Sequence, residues 1–180
     1  MFFTKDFFEW LEDDGFYIKD TWDEERHRSA GPGFLKLMPI QERILRECLT
    51  LREDGTFPYE TVVYSTIKKS GKTAIAAAVA AWFLECCPDG TELYTIANSQ
   101  DQAEGRILKD IKYHLKKRNE ALEYNVWKIG QFRCENRDTG TFVEALTQSY
   151  QSNAGTDMPP RSTMKSGARS LKQIGACGKR

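Results

Sequence analysis

The fold turns on Thr61–Thr73, T-V-V-Y-S-T-I-K-K-S-G-K-T, a short β-branched run that ends in Gly-Lys-Thr. An uninterrupted stretch of small and apolar residues, Ala74–Leu84, follows directly, and Pro88 closes it. The pattern predicts strand, loop and helix in that order. A phosphate-binding loop is built this way: backbone N–H groups turn toward the anion, and the next helix offers its positive N-terminus. Gly71 would let the backbone come close, Lys72 would reach the β- and γ-phosphates, and the Thr73 hydroxyl would ligate Mg²⁺. The first glycine of G-x-x-x-x-G-K-[ST] is replaced by Thr66, so the motif is carried by its second half and by the flanking strand and helix patterns.

Composition bounds the reading. At 180 residues with 40% hydrophobic content, the chain has the length of one domain and enough bulk for a core. Lys plus Arg equals Asp plus Glu at 26 each, so net charge points to no partner. The distribution is uneven: after Asp157 no acid occurs, while Arg161, Lys165, Arg169, Lys172, Lys179 and Arg180 are basic. Cys48, Cys86, Cys87, Cys134 and Cys177 form no C-x-x-C pair, and with only His27 and His114 beside them they argue against a zinc site. An odd cysteine count and an acidic N-terminal stretch, with Asp6, Glu9, Glu12, Asp13 and Asp14, suggest a soluble cytoplasmic protein without a signal peptide or membrane span.

Taken in order, Phe3, Phe7, Phe8 and Leu11 lie at helical spacing, and Gly15 stops the run. Trp22–Gly33 is charged and then Gly-Pro-rich, which predicts a connector. Pro39 suits a first helical position, and Ile40, Ile44, Leu45, Cys48 and Leu49 predict the buried stripe of a helix ending near Leu51. Gln41, just inside that helix, has an amide able to pair with the N6 and N7 edge of adenine; its alternative is an ordinary solvent-facing glutamine. Asp54-Gly55 marks a turn. Glu92–Ala97 reads as a second strand, and Ser99 with Gln102 fits a capping box before a helix bearing Ile107, Leu108, Ile111 and Leu115. Lys109, Lys112, Lys116, Lys117 and Arg118 crowd the end of that helix, as a solvated face or as a surface for a DNA backbone. Trp127–Cys134 and Thr141–Leu146 predict two strands joined by a turn at Asn136–Gly140. Alternating strands and helices predict a P-loop NTPase-like three-layer α/β sandwich with a mainly parallel sheet, incomplete at the C-terminus.

Four blocks, L-M-P-I-Q, V-V-Y-S-T-I-K-K-S-G-K-T, L-Y-T-I-A-N-S-Q-D-Q-A and F-V-E-A-L-T-Q-S-Y-Q-S-N-A-G, resemble in order and spacing the ATPase half of the large terminase subunit of tailed bacteriophages. The similarity runs from about Phe34 to about Pro159. It implies an ATP- and Mg²⁺-binding motor domain that couples hydrolysis to the packaging of double-stranded DNA in a bacterial host cell. Its partners would be the portal protein and the small terminase subunit, with a ring formed only by the full-length protein. It also implies roles: Gln41 would sense adenine, Lys68 or Lys69 would contact the γ-phosphate, and Ser70, Gly71, Lys72 and Thr73 would complete the loop. Asn98, Ser99 and Gln102 would couple nucleotide state to the grip on DNA.

Phosphoryl chemistry in such a motor needs a strand ending Asp-Glu, one carboxylate for Mg²⁺ and one for the attacking water. The sequence supplies no such pair, and Asp138, Glu144 and Asp157 end no apolar run. The catalytic acid is therefore unassigned. The expected organisation is an N-terminal helix and linker over 1–33, a partial ATPase core over 34–157 and a basic, disordered tail over 158–180, with the reading frame departing near Met158. Two other functions fit a lone P-loop: a small nucleotide or small-molecule kinase, and a non-catalytic nucleotide-binding prophage remnant.

Overall fold

The structure is a computed structural model that describes residues 3–23, 25–26, 28–97, 107–147 and the backbone of 163–165. Its centre is helix α3, Lys72–Cys86, in which every residue from Ile75 to Leu84 is buried. The sequence explains this directly. A helix apolar all round has no face to give to water and must be wrapped by other elements. Alanines at 76–78, 80 and 81 keep it thin, and Trp82 and Phe83 fill the larger gaps.

The N-terminal segment supplies part of the wrapping. Phe3 stacks on Trp82 with ring centroids 4.2 Å apart, Trp82 Nε1 donates to the Lys5 carbonyl at 3.0 Å, and Thr4 N donates to the Cys86 carbonyl. Helix α1, Phe7–Asp13, follows; its N-cap Asp6 accepts from the N–H groups of Phe8 and Glu9. Phe7 and Trp10 are its buried pair. Gly15 ends the turn at φ +70°, where a Cβ would lie 2.5 Å from the Phe34 ring, so both backbone sign and space require glycine.

Strands β1, Tyr17–Asp23, and β2, Arg28–Phe34, then pair antiparallel, so most of the predicted connector is a hairpin. The periodicity is hidden because β2 runs Ser-Ala-Gly-Pro-Gly and has no buried residue. Helix α2, Pro39–Leu49, buries Gln41, Leu45 and Leu49, while Ile40 is 48% exposed. Its inward stripe thus begins one residue later than the apolar pattern predicts, on a polar side chain.

The main sheet contains β3, Glu92–Ala97; β4, Trp127–Ile129; β5, Arg133–Asn136; β6, Phe142–Thr147; and β7, Thr163–Lys165, in the order β4-β5-β6-β3-β7. Helix α4, Lys109–Leu122, links β3 to β4 and buries Ile111, His114 and Leu115. The turn at Asn136–Gly140 forms as expected, with Asn136 Oδ1 accepting from Asp138 N and Thr139 N. Trp127–Cys134 is not one strand: Gly130 N donates to the Arg133 carbonyl at 2.8 Å and folds it into β4 and β5.

The predicted P-loop sandwich with a mainly parallel sheet is not what forms. β3 runs parallel to β6 and β7, but β4–β5, β5–β6 and β1–β2 are antiparallel, so three of the five pairings oppose that class. The run Val62–Tyr64 contributes no strand to the sheet: Val62 forms a single bridge, and Val63 is 61% exposed. β6 and β7 take both edges of β3, and the tight turns at Gly130 and Asn136–Gly140 make β4, β5 and β6 antiparallel neighbours. The chain is a small mixed α/β fold.

One polar cluster is sealed inside this packing. Glu85, on the last turn of α3, accepts from Trp10 Nε1 at 2.9 Å, lies 2.9 Å from His114 Nε2, and pairs with Arg118 at 3.3 Å. His114 is fully buried, and its Nδ1 accepts from the Tyr17 N–H at 3.1 Å. Nε2 therefore carries the hydrogen given to Glu85. Arg118 also meets Asp14 at 3.3 Å, and Asp14 binds Lys5 at 2.7 Å. Burial pushes the Asp14 carboxyl up, but the Lys5 hydrogen bond and the Arg118 charge outweigh it and hold the group below its ordinary 3.8.

Two outcomes follow from this cluster. Glu85→Ala leaves the Trp10, His114 and Arg118 donors without their shared acceptor and should cost about 3 kcal/mol in urea unfolding; a loss under about 1 kcal/mol would remove the cluster from the account. Asp14, depressed in the folded state, contributes stability that is present above its unfolded pKa and lost as pH falls through the folded value. Asp14→Asn should therefore lower stability at pH 7 and flatten its fall below about pH 4; an unchanged acid limb in a pH series of melting curves would contradict the assignment.

Candidate phosphate-binding site

The candidate site is the loop that enters α3. Chain direction reverses over Ile67–Gly71 with two residues in the left-handed region, Lys69 at φ +66° and Gly71 at φ +75°. Left-handed residues in a short loop make successive N–H groups converge, which is the geometry of an anion-binding nest. Lysine at such a φ is strained, whereas Gly71 adopts it freely.

Lys72 starts the helix and folds back, its Nζ donating to the Ile67 carbonyl at 3.1 Å. That bond closes a ring of chain around Lys68–Gly71. The side chains of Lys68 and Lys69 are exposed, Thr73 is half-buried in the first turn of α3, and no acidic residue occupies that turn. The loop therefore carries three ammonium groups, two of them on exposed side chains, at the positive end of a 15-residue helix. Ser70 Oγ is buried and has no hydrogen-bond partner among the described residues.

Gln41 reaches the loop from α2. It is 5% exposed; Oε1 accepts from Met38 N at 2.9 Å, and Nε2 donates to the Ser70 carbonyl at 2.9 Å. The first contact is the reach-back half of a capping box, satisfying an N–H at the start of α2. Gln41 thus contacts the loop through the Ser70 carbonyl.

Asn98, Ser99 and Gln102, assigned to coupling, lie outside the described residues, as does Asp157. Asp138 lies in the β5–β6 turn with Tyr124 OH 3.4 Å from its Oδ1, and Glu144 lies 3.7 Å from Arg133. Neither is an unengaged carboxylate of the kind that activates water. Among the described residues, no group of three or more His, Cys, Asp and Glu side chains could hold a metal ion.

The basic residues of α4 run from its first residue, Lys109, to Arg118, and three of them are paired within the chain. Lys112 donates to the Gln131 carbonyl, Lys117 pairs with Glu120 at 2.6 Å, and Arg118 belongs to the Glu85 cluster. Lys109 and Lys116 are exposed. Sequence reasoning missed the cluster itself. Its one signal was Glu85, the sole acid in α3, one residue beyond the apolar run.

Burial pushes the thiols of Cys86 and Cys134 up to about 11, so neither is a thiolate at neutral pH. Among the described residues, no helix is long and apolar enough to cross a membrane. Compared with protein-family models, curated proteins and solved structures, the chain matches none.

Proposed function

We propose that the Ile67–Thr73 loop binds the triphosphate of ATP as its Mg²⁺ complex, and that the chain is the nucleotide-binding portion of a DNA-packaging motor of the terminase large-subunit type. One observation carries the reading: Lys72 is folded onto the Ile67 carbonyl around a loop with two left-handed residues, at the N-terminus of a buried helix. The order of the four sequence blocks supplies the motor assignment, and with it double-stranded DNA, the portal and the small subunit as partners. The reading rests on the loop and its helix and does not need the parallel sandwich.

The chemistry follows from the residues. Lys72 holds its ammonium against a neutral carbonyl and would exchange that acceptor for phosphate oxygens, a stronger charge-assisted bond. Lys68 and Lys69 would offset the remaining charge of the anion. Thr73 would give one oxygen to Mg²⁺, which fills most of its octahedron with phosphate oxygens and water and needs few protein ligands. Binding is the activity these residues support. Hydrolysis additionally requires a carboxylate to orient water, and the sequence supplies no Asp-Glu pair at the end of an apolar run.

Titration calorimetry with Mg-ATP tests the proposal. The protein should bind, and Lys72→Ala should weaken binding by ten- to a hundredfold, the range for a charge-assisted contact of roughly 1.5–3 kcal/mol. The variant should melt within about 1 °C of the parent, since a surface change away from the core alters stability by less than about 0.5 kcal/mol. No heat with the parent protein, or equal affinity in the variant, would remove the loop from the account.

A further inference from the structure

We infer, building on the triphosphate reading of the loop, that Gln41 is a positioning residue that sets the loop backbone, and that it does not read the base. Reading adenine requires a glutamine to turn both the donor and the acceptor of its amide toward the ligand. In this structure the two are divided between two backbone segments: Oε1 faces the Met38 N–H of α2, and Nε2 faces the Ser70 carbonyl. At 5% exposure the side chain has almost no surface left to offer a base.

What the bond to Ser70 does follows from peptide geometry. A trans peptide is planar, and its C=O points opposite to the N–H of the next residue. Holding the Ser70 carbonyl against Gln41 therefore turns the Gly71 N–H away from α2. Gly71 is the left-handed residue at the mouth of α3, and its N–H is among those a bound phosphate would use. A Cβ added at Gly71 would lie 3.8 Å from Gln41 Nε2, so the amide rests against the point where loop becomes helix. Without this contact the Ser70–Gly71 peptide would be free to flip, since a glycine on one side permits both orientations. Gln41 thus fixes in advance an orientation that phosphate binding would otherwise have to impose, and it does so from an element outside the loop.

The expected behaviour is loss of phosphate affinity that is blind to the base. The parent protein should bind Mg-ATP and Mg-GTP within about twofold of each other, because no amide edge is free to discriminate. Gln41→Glu keeps the acceptor for Met38 N and removes the donor to Ser70; Gln41→Ala removes both. Each should weaken ATP, GTP and inorganic tripolyphosphate by a common factor of about ten, as expected for one lost hydrogen bond and a misdirected N–H. Without any ligand, the Gly71 amide should give one sharp NMR cross-peak in the parent and a broadened or doubled one in Gln41→Glu, as the Ser70–Gly71 peptide samples two orientations. Strong ATP preference in the parent, selective loss of ATP in the variants, or a single sharp Gly71 peak in Gln41→Glu would each overturn the inference. The NMR arm needs no nucleotide, so failure here is distinct from failure of the Lys72 experiment.

Discussion

Helix α3 has only one carboxylate, and that carboxylate decides how the rest of the molecule closes. Ten consecutive residues from Ile75 to Leu84 are buried, so the helix must be enclosed on every side, and elements carrying polar groups must approach its end. Glu85 makes that approach specific. It accepts from Trp10 on α1, from His114 on α4 and from Arg118 one turn further along α4. Each donor is buried or nearly so, and each would incur a desolvation cost without this acceptor. Through His114, the same carboxylate also fixes the start of the β1–β2 hairpin, since the ring can accept the Tyr17 N–H only in the tautomer that donates to Glu85.

A second constraint shapes the sheet. Among the described residues, β3 is the only strand with a parallel neighbour on each edge, and the βα unit of β3 and α4 is continued by a meander instead of another crossover. The meander follows from short-range signals: Gly130 closes β4 on β5, and Asn136–Gly140 closes β5 on β6. Tight turns can join only antiparallel neighbours, so two consecutive turns commit three strands to that arrangement. With β7 on the other edge of β3, Val62–Tyr64 is not a neighbour of β3, and Val63 and Ile67 are exposed.

Local features were therefore more legible than the way they assemble. β3 coincides with the Glu92–Ala97 reading, α3 extends the predicted apolar run by a residue or two at each end, and Gly15 and the Asn136–Gly140 turn act as their residue types require. These depend on composition within a few residues. The β1–β2 hairpin escaped because Ser-Ala-Gly-Pro-Gly has neither alternation nor β-branched residues, and long-range support from α4 holds it. The sheet class was misread because Val62–Tyr64 has the composition of a buried strand, and composition cannot report that both edges of β3 are taken. At the candidate site, spacing placed the glycine, the lysine and the threonine where the loop meets the helix, and Gly71 caps α3 while Lys72 and Thr73 begin it. The orientation of Gln41 was not, because its partners are 3 and 29 residues away.

Gln41 also shows why a polar residue can occupy an apolar stripe. It stands at the first position of the Gln41, Leu45, Leu49 row, where a leucine would bury more surface. A leucine would leave the Met38 N–H and the Ser70 carbonyl without partners, and two such groups next to the core would cost more than the methyl groups return. The glutamine satisfies both and ties the start of α2 to the start of α3. The N-terminus of α3 adds its partial positive charge at this loop. The three loop lysines raise that local charge further on a chain whose formal net charge is zero. Such a concentration of positive charge is unfavourable without an anion, and the Lys72 contact with the Ile67 carbonyl relieves only one of the three ammonium groups. On the proposed reading, a bound phosphate would neutralise the charge that the loop holds there.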